Sequence, residues 1–195
     1  MVVDMLPLKK IIRFASSNPE KIIEVSKILG KKGIRVIPIS AELNEIRSED
    51  QEEVAKAKAR TAYGMARRPV IAEDTGVYFE AYANFPGAFP SFVYRSIGYA
   101  GILNLLAGRR RGAFFKTIVA YYDGKITKTF IGRLKGVITP RPDLPKYQNP
   151  KLPYEAIFRP QGSGLRLCRL TKEEKNSISH RGKATRAFAK WYLEK

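Results

Sequence analysis

Apolar residues fall along this chain in two kinds of block, short continuous runs and helically spaced stripes, and their order sketches an α/β fold. Ile11-Ile12-Arg13-Phe14-Ala15 reads as a buried strand, and the stripe Ile22, Val25, Ile28, Leu29 reads as an amphipathic helix. Between them Asn18 suits the N-cap and Pro19 the first helical position, while Gly30 or Gly33 suits the stop. Ile34 to Ile39 predicts a second strand. A second helix opens at Ser48-Glu49-Asp50-Gln51, a capping-box pattern, and runs to about Ala66. Val54, Ala57, Thr61 and Met65 form its predicted inner stripe, which leaves Lys56, Lys58 and Arg60 on the solvated face. Pro69-Val70-Ile71-Ala72 predicts a third strand, so the first ~75 residues spell β-α-β-α-β.

Further along, Asn84-Phe85-Pro86-Gly87-Ala88-Phe89-Pro90 is a turn-rich aromatic loop, and Ser91 to Leu106 predicts a helix broken near Gly98. Phe114 to Tyr122 and Lys125 to Ile131 flank Asp123-Gly124, a strong hairpin signal, and Gly136-Val137-Ile138 adds a strand. Five prolines between Pro140 and Pro153 predict a long loop. Thr171-Lys172-Glu173-Glu174 is a second capping box, and Ala184, Phe188, Trp191 and Tyr192 mark the buried face of a last helix. No repeat, low-complexity linker or clean boundary divides the chain, so residues 1–195 are expected to form one domain.

Against this pattern, Glu73-Asp74-Thr75-Gly76 stands out. It ends the third apolar run, and its two carboxylates are expected to emerge together at the sheet edge where α/β proteins bind ligands. Adjacent acids repel unless a divalent cation or a cationic ligand neutralises them, which points to a magnesium site with one carboxylate free to act on water. An acidic turn closed by Gly76 is the simpler account of this segment taken alone. The turn Ser16-Ser17-Asn18-Pro19-Glu20-Lys21 offers helix N–H groups, side-chain donors and one positive charge, as a phosphate site requires. Plain capping explains Asn18 and Pro19 but leaves Lys21 unexplained in a first turn where the helix dipole disfavours cations. His180, the protein's one histidine, lies between donors in Ser179-His180-Arg181-Gly182, suiting an oxygen-rich ligand.

Charge narrows the class of partner. Lys and Arg number 36 against 18 Asp and Glu, a net +18, which attracts nucleic acid, membrane surfaces or nucleotides. The basic residues are spread along the chain, and no zinc-finger or RNP-type motif accompanies them. No apolar run approaches the ~20 residues of a membrane span, and the N-terminus lacks signal-peptide features, so a cytoplasmic protein is expected. The single Cys168 forms no intramolecular disulfide and reads as a small apolar residue beside Leu167 and Leu170.

Taken in order, Ser17-Asn18-Pro19-Glu20-Lys21, Asn44-Glu45, Ala72-Glu73-Asp74-Thr75-Gly76, Phe85-Pro86-Gly87, Gly132 with Gly136, and Glu174-Lys175-Asn176-Ser177-Ile178-Ser179-His180-Arg181-Gly182 resemble the inosine/xanthosine triphosphate pyrophosphatase family. The resemblance runs from about Ile11 to Trp191. It implies an α/β fold with a long central mixed sheet flanked by helices, two lobes with a cleft between them, and a homodimer. It also implies Mg²⁺-dependent hydrolysis of non-standard purine nucleoside triphosphates (ITP, dITP, XTP) to the monophosphate and pyrophosphate. By motif position, Ser17, Asn18, Lys21 and Lys58 would hold the triphosphate, with Thr75 and Gly76 shaping its phosphate end. Glu45 and Asp74 would hold metal, with Asp74 also the base for water. Lys175, Ser179, His180 and Arg181 would contact the nucleoside, His180 and Arg181 reading the 6-oxo edge.

One segment departs from the family pattern. A glycine-rich Phe-Gly-Tyr-Asp-Pro (or Trp for Tyr) is replaced by Leu152-Pro153-Tyr154-Glu155-Ala156, which keeps Tyr154 in type, lengthens the acid to Glu155 and removes the first aromatic. Tyr154 and Glu155 then remain the expected base contacts, with a weakened stacking surface. Arg169 likewise replaces an acid or amide. The competing expectation is a basic nucleic-acid-binding protein that reuses the fold without turnover.

Overall fold

The computed structural model of the protein describes residues 10–40, 46, 48–83, 85–144 and 152–195. Its elements in order are β1 (Lys10–Ala15), α1 (Pro19–Gly30), β2 (Ile34–Ile39), α2 (Gln51–Ala66), β3 (Val70–Phe79), β4 (Pro86–Gly87), α3 (Pro90–Leu105), β5 (Gly112–Tyr122), β6 (Thr127–Ile138), β7 (Phe158–Pro160), α4 (Lys172–Ile178) and α5 (His180–Glu194). One mixed sheet joins all seven strands in the order β2-β1-β3-β5-β6-β7, with β4 added to β3. β2, β1 and β3 run parallel, and the remaining pairings are antiparallel. This is the mixed α/β architecture that the resemblance implied.

Local signals produced most of these elements. Asn18 Oδ1 accepts the Glu20 N–H at 3.1 Å and Pro19 opens α1, so both residues cap as expected. Thr171 and Glu174 complete a reciprocal capping box on α4. α3 breaks where expected, because Gly98 sits at φ 58°, a left-handed conformation that glycine adopts without steric penalty.

Three expectations are corrected. α2 buries Gln51, Val54, Ala55, Lys58, Ala59 and Ala62, while Thr61 and Met65 are exposed. The helix lies against β3 and β5 through small alanines, and that close approach overrode the hydrophobicity of Met65. Lys58 therefore leaves the solvated face for the interior. The apolar run ending at Ala72 is only the start of β3, which continues through Glu73 and Asp74 to Phe79. The two strands expected over 125–131 and 136–138 are one, β6, because Gly132 and Gly136 stay in the ladder opposite Thr117 and Ala113.

Two apolar clusters share one face of the sheet. Around α1 and α5 lie Phe14, Val25, Leu29, Ile71, Val119, Tyr121 and Phe188; towards α3 and β7 lie Val77, Phe79, Ile102, Phe115, Leu134 and Phe158. Strand alternation makes Ile71, Glu73, Thr75 and Val77 successive residues on this face, so Glu73 and Thr75 interrupt the apolar surface. On β5, Thr117 does the same between Phe115 and Val119. The two clusters thus meet along a polar band. On the opposite face α2 packs its alanines against Val70, Ala72, Ile118 and Ala120.

Candidate active site

β1 accompanies β3 only as far as the pair Ala15–Ala72, and β4 joins β3 at Val77 and Tyr78. Among the described residues, Glu73 to Gly76 have no strand neighbour on that side. Into this gap point the turn after β1 and the N-terminus of α1. The two carboxylates do not emerge together, as the short-run reading expected. Successive residues of an extended strand face opposite ways, so Glu73 and Asp74 are separated by the thickness of the sheet, and each is neutralised by its own cations.

Glu73, on the α1/α5 face, belongs to a buried chain of alternating charges. Lys21 Nζ lies 2.9 Å from Glu73 Oε1, and Arg181 Nε donates to Glu73 Oε2 at 2.8 Å. Arg181 Nη1 reaches Glu24 Oε2 at 2.5 Å, and Lys175 Nζ bridges Glu24 Oε1 at 2.5 Å and Glu155 Oε1 at 2.6 Å. Burial alone would raise the Glu73 and Glu24 carboxyls, but Arg181 with Lys21 outweighs it at Glu73, and Arg181 with Lys175 outweighs it at Glu24, so both sit below the usual range. Burial wins at Glu155, whose pKa rises because Lys175 shares its charge with Glu24. Arg181 is 2% exposed and, against its burial, is held more firmly protonated by Glu73 and Glu24.

Asp74, on the α2 face, has a different setting. Its Oδ1 accepts from Lys58 Nζ at 2.7 Å, while Oδ2 is buried without a hydrogen-bond partner among the described residues. Gln51, 1% exposed at the start of α2, donates from Nε2 to the Asp74 and Lys116 carbonyls, both at 2.9 Å. Its Oε1 accepts from the Tyr78 hydroxyl at 2.8 Å. α2 is thus fastened to β3 at the residue that carries the carboxylate. Gly76 has to be glycine here, since a Cβ would stand 2.5 Å from the Gly87 carbonyl oxygen and 2.7 Å from the Tyr78 ring.

The remaining expected residues divide into three groups. Ser17 is exposed and Asn18 half-buried beside Lys21 at the α1 N-terminus, and Thr75 Oγ1 shares a 2.7 Å hydrogen bond with Thr117 Oγ1 across the polar band. Ser179 is fully buried and caps α5 by accepting the Gly182 N–H at 2.9 Å. His180 stacks on Phe115 with ring centroids 4.7 Å apart, and its Nδ1 has no partner among the described residues. Burial, then the Arg181 charge, push its pKa well below the ordinary histidine value, so the imidazole is neutral. Tyr154 is not an open stacking surface: its ring is buried against Phe79 and Tyr94, and its hydroxyl donates to the Pro90 carbonyl. Glu45, with Asn44, lies outside the described residues.

Four site residues escaped the sequence reading: Glu24, Gln51, Tyr78 and Thr117. Signals for three of them were present. Glu24 sits three residues after Lys21 and four before Ile28, an acid on the inner face of α1. Gln51 is one helical face with Val54 and Lys58. Tyr78 follows Asp74 and Gly76 by strand alternation. Thr117 carried no signal, because a threonine in a strand is ordinary.

As to metal, no group of three or more His, Cys, Asp or Glu side chains among the described residues could hold an ion. Mg²⁺ needs fewer, since it is commonly held by one or two carboxylates together with substrate phosphates and water. The unpartnered Asp74 Oδ2 fits that requirement. No helix among the described residues is long and apolar enough to cross a membrane.

A sequence profile of the Ham1 family matches residues 12–191. The dITP/XTP pyrophosphatase of Thermococcus kodakarensis is 38% identical over 184 residues, covering 94% of this chain and 97% of that protein. That of Pyrococcus horikoshii is 39% identical over 182 residues, covering 92% and 95%. Among solved structures, a HAM1 protein from Coxiella burnetii superposes with a TM-score of 0.80 at 26% identity, covering 95% of this chain and 99% of that one.

Proposed function

We propose, because this chain belongs to the Ham1 family, that it is a nucleoside triphosphate pyrophosphatase, which hydrolyses ITP, dITP and XTP to the monophosphate and pyrophosphate. The observation that carries the mechanism is the Asp74 carboxylate, buried, fixed through Oδ1 by Lys58 at 2.7 Å, with an Oδ2 that has no hydrogen-bond partner among the described residues. Oδ2 is the atom available to take the proton of the attacking water and, with Glu45, to hold Mg²⁺. When bound, the ion supplies charge neutralisation on the phosphate oxygens. Water then adds at the α-phosphorus, the bond to the bridging oxygen breaks, and pyrophosphate leaves.

The other residues take roles consistent with their surroundings. Ser17, Asn18, Lys21 and the α1 N-terminus meet phosphate oxygens, Lys58 holds its charge beside Asp74, and Thr75 and Gly76 bound the gap in the sheet. Lys175, Ser179, His180 and Arg181 form the nucleoside side, where Arg181 acts from a fixed ion pair and the neutral His180 offers one ring N–H. Tyr154 and Glu155 back that side: Glu155 positions Lys175, and Tyr154 supports it from the core. Hydrogen-bonding groups of this kind discriminate strongly when a partner is missing, which favours a 6-oxo purine over adenine. We also read the chain as one two-lobed domain and as a cytoplasmic homodimer, the exposed Phe85, Phe89, Phe92 and Ile97 supplying an apolar surface for a second copy. The +18 charge supports only non-specific contact with nucleic acid.

Product analysis tests this reading. Purified protein with Mg²⁺ is expected to convert ITP and XTP to monophosphate and pyrophosphate in equal amounts, with ATP much slower. Release of orthophosphate, or no turnover of any nucleotide alongside tight, salt-sensitive oligonucleotide binding, would contradict it.

A further inference from the structure

The face of the sheet that carries Asp74 holds two further cations that no step above uses. Strand register sets Lys116 opposite Gly76, two residues along from the partner of Asp74, and sets Arg133 opposite Lys116 on the next strand. Diagonal neighbours in an antiparallel pair lie roughly 7–8 Å apart at their Cα atoms, so Lys116 is within side-chain reach of groups around Asp74.

These cations stand on an aromatic floor. The Tyr78 ring lies back over Gly76 and stacks on Phe114 with centroids 4.7 Å apart and planes 3° from parallel. Lys116 Nζ lies 4.9 Å from the Tyr78 centroid, and the Arg133 guanidinium carbon lies 5.8 Å from that of Phe114. Neither cation has a carboxylate in salt-bridge range among the described residues, whereas Lys21, Lys58, Lys175 and Arg181 all do. Like charges directly opposite on adjacent strands are destabilising, and burial together with the Arg133 charge lowers the Lys116 pKa. A repulsive pair kept next to the reacting carboxylate is accounted for by an anion that binds both members.

We propose that Lys116 and Arg133, on the Tyr78–Phe114 floor, form a subsite for the pyrophosphoryl end of the substrate and for the pyrophosphate product. This rests on the pyrophosphatase reading. The nucleoside groups Lys175, His180 and Arg181 are on the opposite face, so a triphosphate that passes through the gap at Glu73 to Gly76 carries its β- and γ-phosphates towards Lys116. Arg133, exposed at the outer end, suits the terminal phosphate, to which its guanidinium can donate twice.

Titration calorimetry with pyrophosphate and with inosine monophosphate tests the subsite on wild-type protein, Lys116→Met, Arg133→Met and Lys116→Arg, each checked for an unchanged melting temperature. Both Met variants are expected to bind pyrophosphate about tenfold more weakly, the loss of one charge-assisted hydrogen bond. Inosine monophosphate affinity should stay within twofold, and Lys116→Arg should retain most of the pyrophosphate affinity. Equal pyrophosphate binding by all four proteins, or no binding by the wild type, would each overturn the proposal. Hydrolysis of ITP measured in parallel separates this from the function itself, since a protein that turns over ITP yet binds pyrophosphate equally in all variants loses only the subsite.

Discussion

Arg181 holds two buried carboxylates, and its replacement by Met gives a stability change whose size and pH dependence both follow from the charge chain. In the native protein Glu73 and Glu24 accept from the guanidinium at 2.8 Å and 2.5 Å. Breaking a buried pair by removing one partner costs about 3–5 kcal/mol, because a charge is left uncompensated. Here each orphaned acid keeps a lysine, Lys21 for Glu73 and Lys175 for Glu24, so the lower end applies, about 3 kcal/mol. For a chain of this length that corresponds to a melting temperature lower by roughly 6–12 °C at pH 7.

The pH dependence has a definite sign. Glu73 is depressed in the fold, so it contributes stability above its unfolded pKa and loses it as pH falls through the folded value. In the Met variant its pKa rises, and protonation relieves the uncompensated charge as pH drops below the ordinary glutamate range. The gap between wild type and variant is therefore widest at pH 7 and narrower at pH 4. Adding Glu73→Gln to the variant should recover part of the loss at pH 7 and little at pH 4. Differential scanning calorimetry at the two pH values measures all of this. A gap below about 1 kcal/mol, or one of equal size at both pH values, would refute the reasoning.

Two further outcomes follow from single contacts. A Cβ on Gly132 would stand 1.9 Å from the His180 carbonyl oxygen and 2.7 Å from the Ala184 nitrogen, both backbone atoms, so Gly132→Ala must displace the start of α5; we expect a loss of about 1–3 kcal/mol in urea unfolding and a raised KM for ITP. His180 is neutral in the fold with a depressed pKa, so its contribution is present above the unfolded pKa and lost as pH falls below about 6.5. It is the protein's one histidine, and the fall in melting temperature between pH 7 and pH 5.5 should flatten in His180→Gln.

Much of the fold was legible because local and long-range signals agree. Asn18-Pro19, Thr171-Glu174, Gly98 and Asp123-Gly124 act through backbone chemistry within a few residues, and each marks a real boundary. β3 was misread at its end because its second half switches from burial on both faces to a polar band, and periodicity alone cannot distinguish that from a strand terminus. The phase of α2 was lost for a related reason. Its contact face is built from alanines, Gln51 and Lys58, which carry little hydrophobic contrast, while Met65 projects into solvent.

The site was legible as a set of residue types but not as an arrangement. Sequence order brought out Lys21, Asp74, Lys175, His180 and Arg181 without revealing that Glu73 and Asp74 face opposite ways. Nor could it show that Arg181 is held by two carboxylates, because the contact with Glu24 spans 157 positions. Glu73 is the acid that fixes the nucleoside-side arginine, while Asp74 keeps an oxygen that has no partner among the described residues.

That assignment makes Asp74→Asn the most direct test. Asparagine keeps the side-chain shape and can still accept from Lys58 through its carbonyl oxygen, but it offers an amide where Oδ2 would take a proton. Single-turnover hydrolysis of ITP with saturating Mg²⁺ should slow by at least 10²-fold, the ordinary contribution of a general base. Hydrolysis at the wild-type rate would contradict the account.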